Sequence, residues 1–385
     1  MNILKQLVLA LYKILTMVMP VNHKIILFES NVGRNFTGNP KAIYEEMVRL
    51  ELDRKYRCYI ILEDMETNIS GSAKKLKRNR FRYFYYFAVA GIWISDTRFP
   101  KYIIKRKETV YIQTWHGTPL KKLALDMDEV YMSGETSLEE YKLNFSNNVQ
   151  TWDYLVSQNK YSTEIFTKAF GFDKSILEIG YPRNDILFRK NNHEEIYKIK
   201  EMLGLPQDKR IILYAPTWRD NEYYTDGNYK FNTGLDFPLL MKELHEDTVW
   251  IVKYHYLIQD FINWSDYEGF VYEYDKSYDI SLLYLVSDML VTDYSSVMFD
   301  YSILKKPMIF YCYDLCEYRD SLRGFYFDLL KEAPGPVVET TQNLIQSIKE
   351  YDYETYKERY EAFNTKYNHA DDGNASGKII DLIYK

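Results

Sequence analysis

Residues 109–122 read TVYIQTWHGTPLKK, and this stretch decides the fold class. Residues 109–114 form a short, largely apolar run, which is typical of a strand buried on both faces of a parallel sheet. A polar segment with Gly117 follows where the strand ends. Because ligands of open parallel sheets bind beyond the carboxyl ends of the strands, the same stretch also predicts a binding site.

Apolar runs of the same kind recur along the chain, each followed by a polar loop and a helical pattern. The first series comprises 24–30, 57–63, 91–96, 109–114, 152–157 and 176–180, and the second comprises 210–215, 248–254, 288–292 and 308–313. A charged helical segment from about residue 193 separates them. We therefore predict an α/β protein with domains at 21–195 and 196–385, whose parallel sheets face a central cleft. The second domain should close with helices over 340–385.

Composition excludes several classes of protein. The 385 residues are 46% hydrophobic and 27% charged, which rules out a disordered or fibrous chain. A formal net charge of −6 gives no overall attraction to nucleic acid, so we expect no nucleic-acid partner. Cys58, Cys312 and Cys316 have neither disulfide-framework nor zinc-site spacing, which fits a reducing cytoplasm.

Residues 1–20 predict an amphipathic helix that ends at Pro20. Lys5 and Lys13 lie inside it, so it is a poor candidate for crossing a membrane, and no signal-peptide cleavage site follows it. Two interpretations stay open: a helix lying in the headgroup layer, or a terminal helix packed on the protein's own core.

A basic stretch leads directly into an aromatic one, between residues 74 and 87. Cations beside aromatic rings suit an anionic membrane surface, although single-stranded nucleic acid or a solvated helix face are alternatives. Our hypothesis is peripheral attachment at the cytoplasmic face of the cell membrane. The membrane-surface residues would be Lys74, Lys75, Lys77, Arg78, Arg80 and Arg82.

The segment after the strand at 109–114 has a physical use at each position. Gly117 lets the backbone approach a ligand, Thr118 can cap a helix, and Pro119 suits the first helical position. The expected helix N-terminus, with Lys121 following, would attract a phosphate. A lone histidine is more often structural, but this context places His116 beside an anion site, where it can take a proton.

His255 follows the strand at 248–254 and should face the same cleft from the other domain. Two histidines, one from each domain, can bracket one phosphate. The remaining four histidines occupy terminal, helical or charged contexts and are interpreted as structural.

The segments that follow other predicted strands supply side chains that can bind phosphate oxygens. No clustered carboxylate motif marks a metal site, and no cofactor is indicated with certainty. Metal dependence stays open, because Asp293 and Asp300 could support a divalent metal such as Mg²⁺. The predicted donor and phosphate-binding residues are Gly117, Thr118, Thr217, Arg219, Asp293, Ser295, Ser296 and Arg323.

Residues 115–122, 214–220, 292–300 with 305–307, and 323–328 together resemble the CDP-glycerol glycerophosphotransferase family of teichoic acid synthesis. The resemblance covers most of the chain. It implies a GT-B fold of two Rossmann-like domains, with the nucleotide donor held mainly by the C-terminal one. It also places His116 and His255 on the family's two functional histidines. This chain departs from the family pattern at Tyr256, where family members often carry a proline.

The resemblance implies transfer of glycerol phosphate from CDP-glycerol to a hydroxyl of a lipid-linked, teichoic-acid-type polyol-phosphate acceptor, with release of CMP. His116 would act as general base. Alternatives are the same chemistry with CDP-ribitol, a GT-B glycosyltransferase using a sugar nucleotide, and a membrane-associated binding protein without catalysis. Whether one unit is added as a primer or many as a polymer stays open.

Overall fold

The computed structural model describes residues 3–129, 137–217, 234–253, 263–275, 277–315, 324–326 and 328–384. Its strands form two sheets, one of seven and one of six strands, and every pair of neighbouring strands is parallel. Two α/β units with parallel sheets were predicted, and the two sheets confirm that fold class.

The first sheet has the order β3-β2-β1-β4-β5-β6-β7. Its inner strands are buried over nearly their whole length, because their apolar side chains meet helices on both faces. The strands are β1 (Asn22–Glu29), β2 (Arg57–Leu62), β3 (Lys74–Lys77), β4 (Ala90–Ser95), β5 (Val110–Gln113), β6 (Tyr154–Ser157) and β7 (Ser175–Glu178).

The second sheet has the order β10-β9-β8-β11-β12-β13. Its two apolar clusters lie on opposite faces, so it too is covered on both sides. The strands are β8 (Arg210–Tyr214), β9 (Thr248–Val252), β10 (Val271–Glu273), β11 (Met289–Thr292), β12 (Met308–Tyr311) and β13 (Val337–Val338).

The helices connect and cover these strands. Those up to residue 203 are α1 (Ile3–Val18), α2 (Gly38–Arg49), α3 (Phe81–Val89), α4 (Leu138–Val149), α5 (Lys160–Ala169), α6 (Asp185–Arg189) and α7 (His193–Leu203). The later ones are α8 (Phe237–Leu244), α9 (Ile280–Val286), α10 (Val297–Tyr301), α11 (Leu329–Glu332), α12 (Thr341–Lys349), α13 (Tyr353–Tyr367) and α14 (Ala375–Tyr384).

Each sheet reverses its strand order near its centre. In the first sheet the reversal lies between β1 and β4, and in the second it lies between β8 and β11. Loops that leave such neighbouring strands turn to opposite faces, which opens a crevice at the carboxyl ends. The two crevices hold the candidate site described below.

The last helix, α14, returns to the first sheet. It packs on α2, and Ile379 and Ile380 lie in the core of the first sheet. The buried carboxylate of Asp185 accepts the backbone N–H groups of Ala375 and Ser376, each at 2.9 Å, and so caps the helix. The chain divisions at residues 20 and 195 stay predictions, and the structure adds that the C-terminal helix covers the N-terminal sheet.

The sequence pattern located ten strands, all of which the structure contains, and missed three short ones, β3, β10 and β13. The helix expected from Pro119 was wrong. The chain there is extended, because Lys121 forms an antiparallel bridge with Phe325, and Lys122 N–H donates to the Gly324 carbonyl at 3.0 Å. These backbone groups therefore pair with the second half of the chain instead of starting a helix.

Replacing Asp185 with alanine should lower the midpoint of urea unfolding. The change removes both acceptors of the α14 cap and leaves buried N–H groups unpaired, a loss of about 1–3 kcal/mol. The control is Asp352→Ala. This change removes the side-chain cap of α13, which accepts the exposed N–H of Glu354. A midpoint shift no larger than that of the control would contradict the anchoring role of Asp185.

Candidate active site

His116 sits on a strained turn directly after β5. Trp115 has a left-handed backbone with φ of 52°, which is costly for a bulky residue. The turn is held in place because Asn39 Nδ2 donates to the Trp115 carbonyl at 3.0 Å. The indole then stacks on the imidazole with ring centroids 4.5 Å apart. Side chain and backbone together fix the position of His116 at the cleft.

The imidazole of His116 is oriented by a backbone partner. Nδ1 donates to the Asp96 carbonyl at 2.8 Å, which leaves Nε2 as the ring atom with an available lone pair. The enclosing walls lower the pKa of His116 by desolvation, the Asp96 carbonyl opposes this, and the cations Arg183 and Arg98 add to the lowering. The ring is still accessible from the cleft, so a neutral imidazole can reach a ligand there.

Two pockets meet at His116. One has a volume of about 250 Å³ and the other about 220 Å³, and both are lined by His116, Ser295 and Ser296. Since these serines follow β11 of the second sheet and His116 follows β5 of the first, the meeting point lies between the two sheets. A ligand spanning both pockets would pass the imidazole.

The larger pocket has an amide-rich wall at the start of α2. Asn31 Nδ2 donates to Asn35 Oδ1 at 2.7 Å and to the Thr37 hydroxyl at 3.1 Å. The Asn31 N–H donates to the buried carboxyl of Asp96 at 2.9 Å, and burial raises the pKa of that carboxyl to about 7. Neutral amides and hydroxyls of this kind suit a ligand rich in hydroxyl groups.

The opposite wall of the larger pocket comes from the second domain. Asp279 accepts from the Gly38 N–H at 3.0 Å and pairs with Lys41 at 2.5 Å, joining α9 to α2 across the cleft. Lys253, which follows β9, also lines this pocket, and desolvation lowers its pKa to about 8. One ion pair between the domains, Lys41 with Asp279, therefore lies at this wall of the pocket.

The smaller pocket runs along residues 115–121 toward the second domain. Its far wall contains Pro216, Thr217 and Tyr294, and Lys121 adds a cation. The Thr217 N–H donates to Asp293 Oδ1 at 2.8 Å, so the loops after β8 and β11 support each other. A cation with hydroxyls and backbone at strand ends is a suitable lining for phosphate oxygens.

Arg183 was not predicted from the sequence. Its Nη1 donates to the His116 carbonyl at 2.8 Å, and its Nη2 pairs with Asp300 of α10 at 2.5 Å. The guanidinium therefore connects the two sides of the site. A signal in the sequence could have identified Arg183 as a site residue. It lies in the polar segment Gly-Tyr-Pro-Arg-Asn-Asp at 180–185, at the end of the strand predicted at 176–180.

A buried polar network surrounds that ion pair. Asn184 Nδ2 donates to Asp300 at 3.0 Å and to Asp371 at 3.2 Å, and Gln158 Nε2 donates to Asp371 at 2.9 Å. Thr118 donates to Gln158 Oε1 at 2.5 Å, so its hydroxyl serves this network rather than a helix cap. Burial raises the pKa of Asp371 to about 7.

The structure brings most of the predicted site residues together. Gly117 lies against Ser296: a Cβ at position 117 would be 2.7 Å from the Ser296 hydroxyl and 3.1 Å from its Cβ, so a larger residue would displace that serine. Lining or supporting the two pockets are His116, Gly117, Thr118, Thr217, Asp293, Ser295 and Ser296. Arg219, His255 and Arg323 lie outside the described residues.

The predicted basic stretch divides into surface and internal residues. Lys74, Lys77, Arg80 and Arg82 are exposed. Lys75 Nζ donates to the Met65 carbonyl at 2.7 Å. Arg78 is only 11% exposed and lies 3.6 Å from the fully buried Glu29, whose pKa burial raises to about 7.

Helix α1 packs one face on the protein's own core and leaves the other face exposed, and its placement in a headgroup layer stays a prediction. Tyr12 is buried, and its hydroxyl accepts from the Ile104 N–H at 3.0 Å, so one face packs on the protein. The other face leaves Leu7, Leu11, Ile14 and Val18 exposed at helical spacing. Among the described residues, no helix combines the length and hydropathy needed to cross a bilayer.

Carboxylates near the site have other partners. Asp293 accepts from the Thr217 amide, and Asp300 pairs with Arg183. Within the part of the chain that the structure describes, no group of three or more His, Cys, Asp or Glu side chains could hold a metal ion. A requirement for Mg²⁺ stays an open prediction.

Comparison with known proteins gives consistent results. Residues 11–385 match the family described as CDP-Glycerol:Poly(glycerophosphate) glycerophosphotransferase. The teichoic acid poly(glycerol phosphate) polymerase of Bacillus spizizenii (strain ATCC 23059 / NRRL B-14472 / W23) is 44% identical over 95% of this chain and 93% of its own. The teichoic acid glycerol-phosphate transferase of Staphylococcus aureus (strain NCTC 8325 / PS 47) is 44% identical over 94% of each chain. The teichoic acid ribitol-phosphate primase of the same B. spizizenii strain is 31% identical, over 97% of this chain and 94% of its own.

Some related polymerases are longer, and this chain spans about half of their length. Among solved structures, the wall teichoic acid polymerase TagF superposes with a TM-score of 0.92 at 43% identity, over 99% of this chain and 93% of that one. A histidine-to-asparagine variant of TagF has been solved after a soak with CDPG. A UDP-GlcNAc 2-epimerase from Neisseria meningitidis, at 14% identity and a TM-score of 0.52, shows the fold alone, and with TagF it confirms the GT-B class.

In an NMR titration of the folded protein, we expect the pKa of His116 to lie below the ordinary histidine value of about 6.5. Desolvation is the main cause, because the cleft walls disfavour the imidazolium ion. The His116→Gln variant assigns the resonance, and the urea-unfolded chain supplies the reference. A folded pKa equal to or above the unfolded one would contradict a neutral base held by its surroundings.

Proposed function

The chain belongs to the CDP-glycerol:poly(glycerophosphate) glycerophosphotransferase family, and we propose that it transfers glycerol phosphate from CDP-glycerol to a hydroxyl of a teichoic-acid-type acceptor, releasing CMP. The observation that carries the proposal is the position of His116. Its imidazole has Nε2 available for a proton, and it lies where two pockets meet, each of them lined by residues of both domains. Donor and acceptor must meet at one such point.

In the proposed reaction, an acceptor hydroxyl attacks the phosphorus next to the glycerol, in line with the departing CMP. His116 Nε2 takes the proton of that hydroxyl. The hydrogen bond from Nδ1 to the Asp96 carbonyl fixes the tautomer that this role requires. The lowered pKa keeps the ring neutral near pH 7, so it is ready to accept the proton.

The departing CMP carries its charge on a phosphate oxygen that needs little protonation, so stabilisation of charge matters more than acid catalysis. We assign this task to the smaller pocket, whose lining includes Lys121, Thr217, Ser295 and Ser296. The resemblance adds His255, Arg219 and Arg323, and these remain assignments from sequence. Because both serines also line the larger pocket, they stand where the transferred phosphate must pass.

The larger pocket is the proposed place of the polyol. Its wall of asparagine and threonine side chains offers neutral donors and acceptors for hydroxyl groups. Glycerol is favoured over ribitol because the glycerol-phosphate polymerase and transferase are more similar to this chain than the ribitol-phosphate primase. Poly(glycerol phosphate) polymerases are also more similar to this chain than a glycerol-phosphate primase is, which supports repeated addition over priming. The acceptor would then be a lipid-linked glycerol phosphate polymer.

We further propose that α1 binds the surface of an anionic bilayer, where a lipid-linked acceptor would be located. Its outer stripe is apolar, with Leu7 63% and Ile14 55% exposed. α1 packs against α3, where Phe81 is 57% exposed and Arg82 is an exposed cation. An apolar helix face flanked by cations is the pattern of a helix lying in the membrane interface.

The His116→Ala variant should lose CMP release from CDP-glycerol by about 10²- to 10⁴-fold, the usual contribution of a positioned base. Binding of CDP-glycerol, measured by calorimetry, should persist, because the donor phosphates are held by other residues. His245→Ala, on an exposed helix end remote from the cleft, is the control. Undiminished CMP release by His116→Ala would remove this residue from the mechanism, and faster release from CDP-ribitol by the wild type would reverse the polyol assignment.

Liposome flotation tests the membrane proposal. A variant with Lys74, Lys77, Arg80 and Arg82 changed to alanine should float poorly with anionic vesicles, since each cation near the surface contributes about 1 kcal/mol. Arg78 stays unchanged because it is internal. The matched control changes four exposed lysines elsewhere to alanine: Lys190, Lys198, Lys331 and Lys357. Equal flotation of the two variants would count against this surface.

A further inference from the structure

The turn that carries Arg183 is fixed from both domains. It follows β7, and the Arg183 N–H donates to Asn39 Oδ1 at 3.1 Å, a residue of α2. The Arg183 carbonyl accepts from the Ser281 hydroxyl at 3.1 Å, a residue of α9 in the second domain. Because Asn39 also holds the Trp115 carbonyl, the backbone of Arg183 is tied to the strained turn before His116.

The two terminal nitrogens of the guanidinium bind groups on opposite sides of the site. Nη1 donates to the carbonyl of His116, and Nη2 donates to Asp300. Asp300 lies on α10, the helix that begins directly after Ser296. The Arg183 side chain is 14% exposed and that of Asp300 1%, so the ion pair is largely shielded from water, whereas the bond to the His116 carbonyl lies at the exposed edge of the cleft. A planar fork can hold two partners in fixed directions, which an ammonium group cannot do.

We propose that Arg183 is a positioning residue for the transfer reaction. It sets the distance between the His116 turn and the Ser295-Ser296 loop. Its positive charge beside that turn adds to the desolvation that disfavours the imidazolium ion. The inference rests on the proposed role of His116 as general base. Arg183 acts through His116 and the α10 loop, and its contribution should therefore fall on turnover more than on donor binding.

The protonation state of His116 depends on all the charged groups that face its ring. Arg183 and Arg98 are the cations that disfavour the imidazolium ion, whereas the Asp96 carbonyl favours it. The Asp96 carboxyl is buried on the same side, and its pKa is raised to about 7. Other charged groups lining the two pockets are Lys121, Lys253 and Asp279. Removing the charge of Arg183 alone should raise the pKa of His116.

The experiment compares Arg183→Lys with Arg183→Gln, measuring CMP release from CDP-glycerol between pH 5 and pH 9. Both variants lose the fork, and kcat should fall by about tenfold to a hundredfold, as expected for a small misplacement of reacting groups. KM for CDP-glycerol should stay close to wild type. The acid limb of kcat/KM should move to higher pH in the Gln variant only, because Lys keeps the positive charge.

Arg189→Gln is the matched control, since Arg189 lies six residues further on and pairs with Glu46 outside the catalytic pockets. Arg183→Gln combined with Asp300→Asn removes both charges of the buried pair. This double variant replaces Arg183→Gln in the measurements if the single variant does not fold. The NMR pKa of His116 in each variant gives a readout independent of turnover. It should rise in the Gln variants and stay at the wild-type value in the Lys variant.

Wild-type kcat in both variants, or an unmoved acid limb and an unmoved His116 pKa in the Gln variants, would overturn the proposal. So would a loss of activity that only follows the folded fraction seen by circular dichroism. The proposed function fails differently, by undiminished CMP release from His116→Ala. Active Arg183 variants beside an inactive His116→Ala would reject the positioning role and keep the base.

Discussion

The ion pair between Arg183 and Asp300 is the contact on which the geometry of the cleft depends. It joins residues 117 positions apart in the chain, at 2.5 Å, in a largely buried setting. A buried ion pair contributes little net stability, because desolvation offsets the Coulomb attraction, but losing one partner is costly. Such a pair is better understood as fixing one arrangement. Here it fixes the two domains relative to each other.

The surrounding network strengthens that constraint. Asn184 and Gln158 supply neutral donors to Asp300 and Asp371, so two neighbouring carboxyl groups share amide partners from the first domain. At the edge of the cleft, Lys41 and Asp279 form a second pair, but they are more exposed than the first, and water weakens their attraction. The contacts between the domains are therefore firm beside His116 and weaker at the rim.

The sequence was sufficient for features set by local pattern. Continuous apolar runs predicted the central strands, and a glycine and a histidine after a strand located one side of the site. β3 was not predicted because it is an edge strand with the sequence Lys-Lys-Leu-Lys. This charged sequence lacks the apolar run of a buried strand, although it pairs with β2. The helix expected after Pro119 failed because a bridge to Phe325, some 200 residues away, decides the backbone there. Arg183 was not predicted for the same reason: its partners are distant in sequence, and no periodic pattern in the sequence indicates these contacts.

The imidazole of the proposed base, His116, is oriented by a backbone carbonyl and not by a carboxylate. Nδ1 meets a backbone carbonyl, while the carboxyl of Asp96 turns to the Asn31 N–H and, with its raised pKa, is easily protonated. The imidazolium ion thus gains little stabilisation, and two arginines oppose it. In the proposed in-line displacement, a neutral imidazole placed beside the attacking hydroxyl can take its proton as the new bond to phosphorus forms. The orientation of the imidazole toward that hydroxyl therefore matters, and the turn that sets it is held by Asn39 and Arg183.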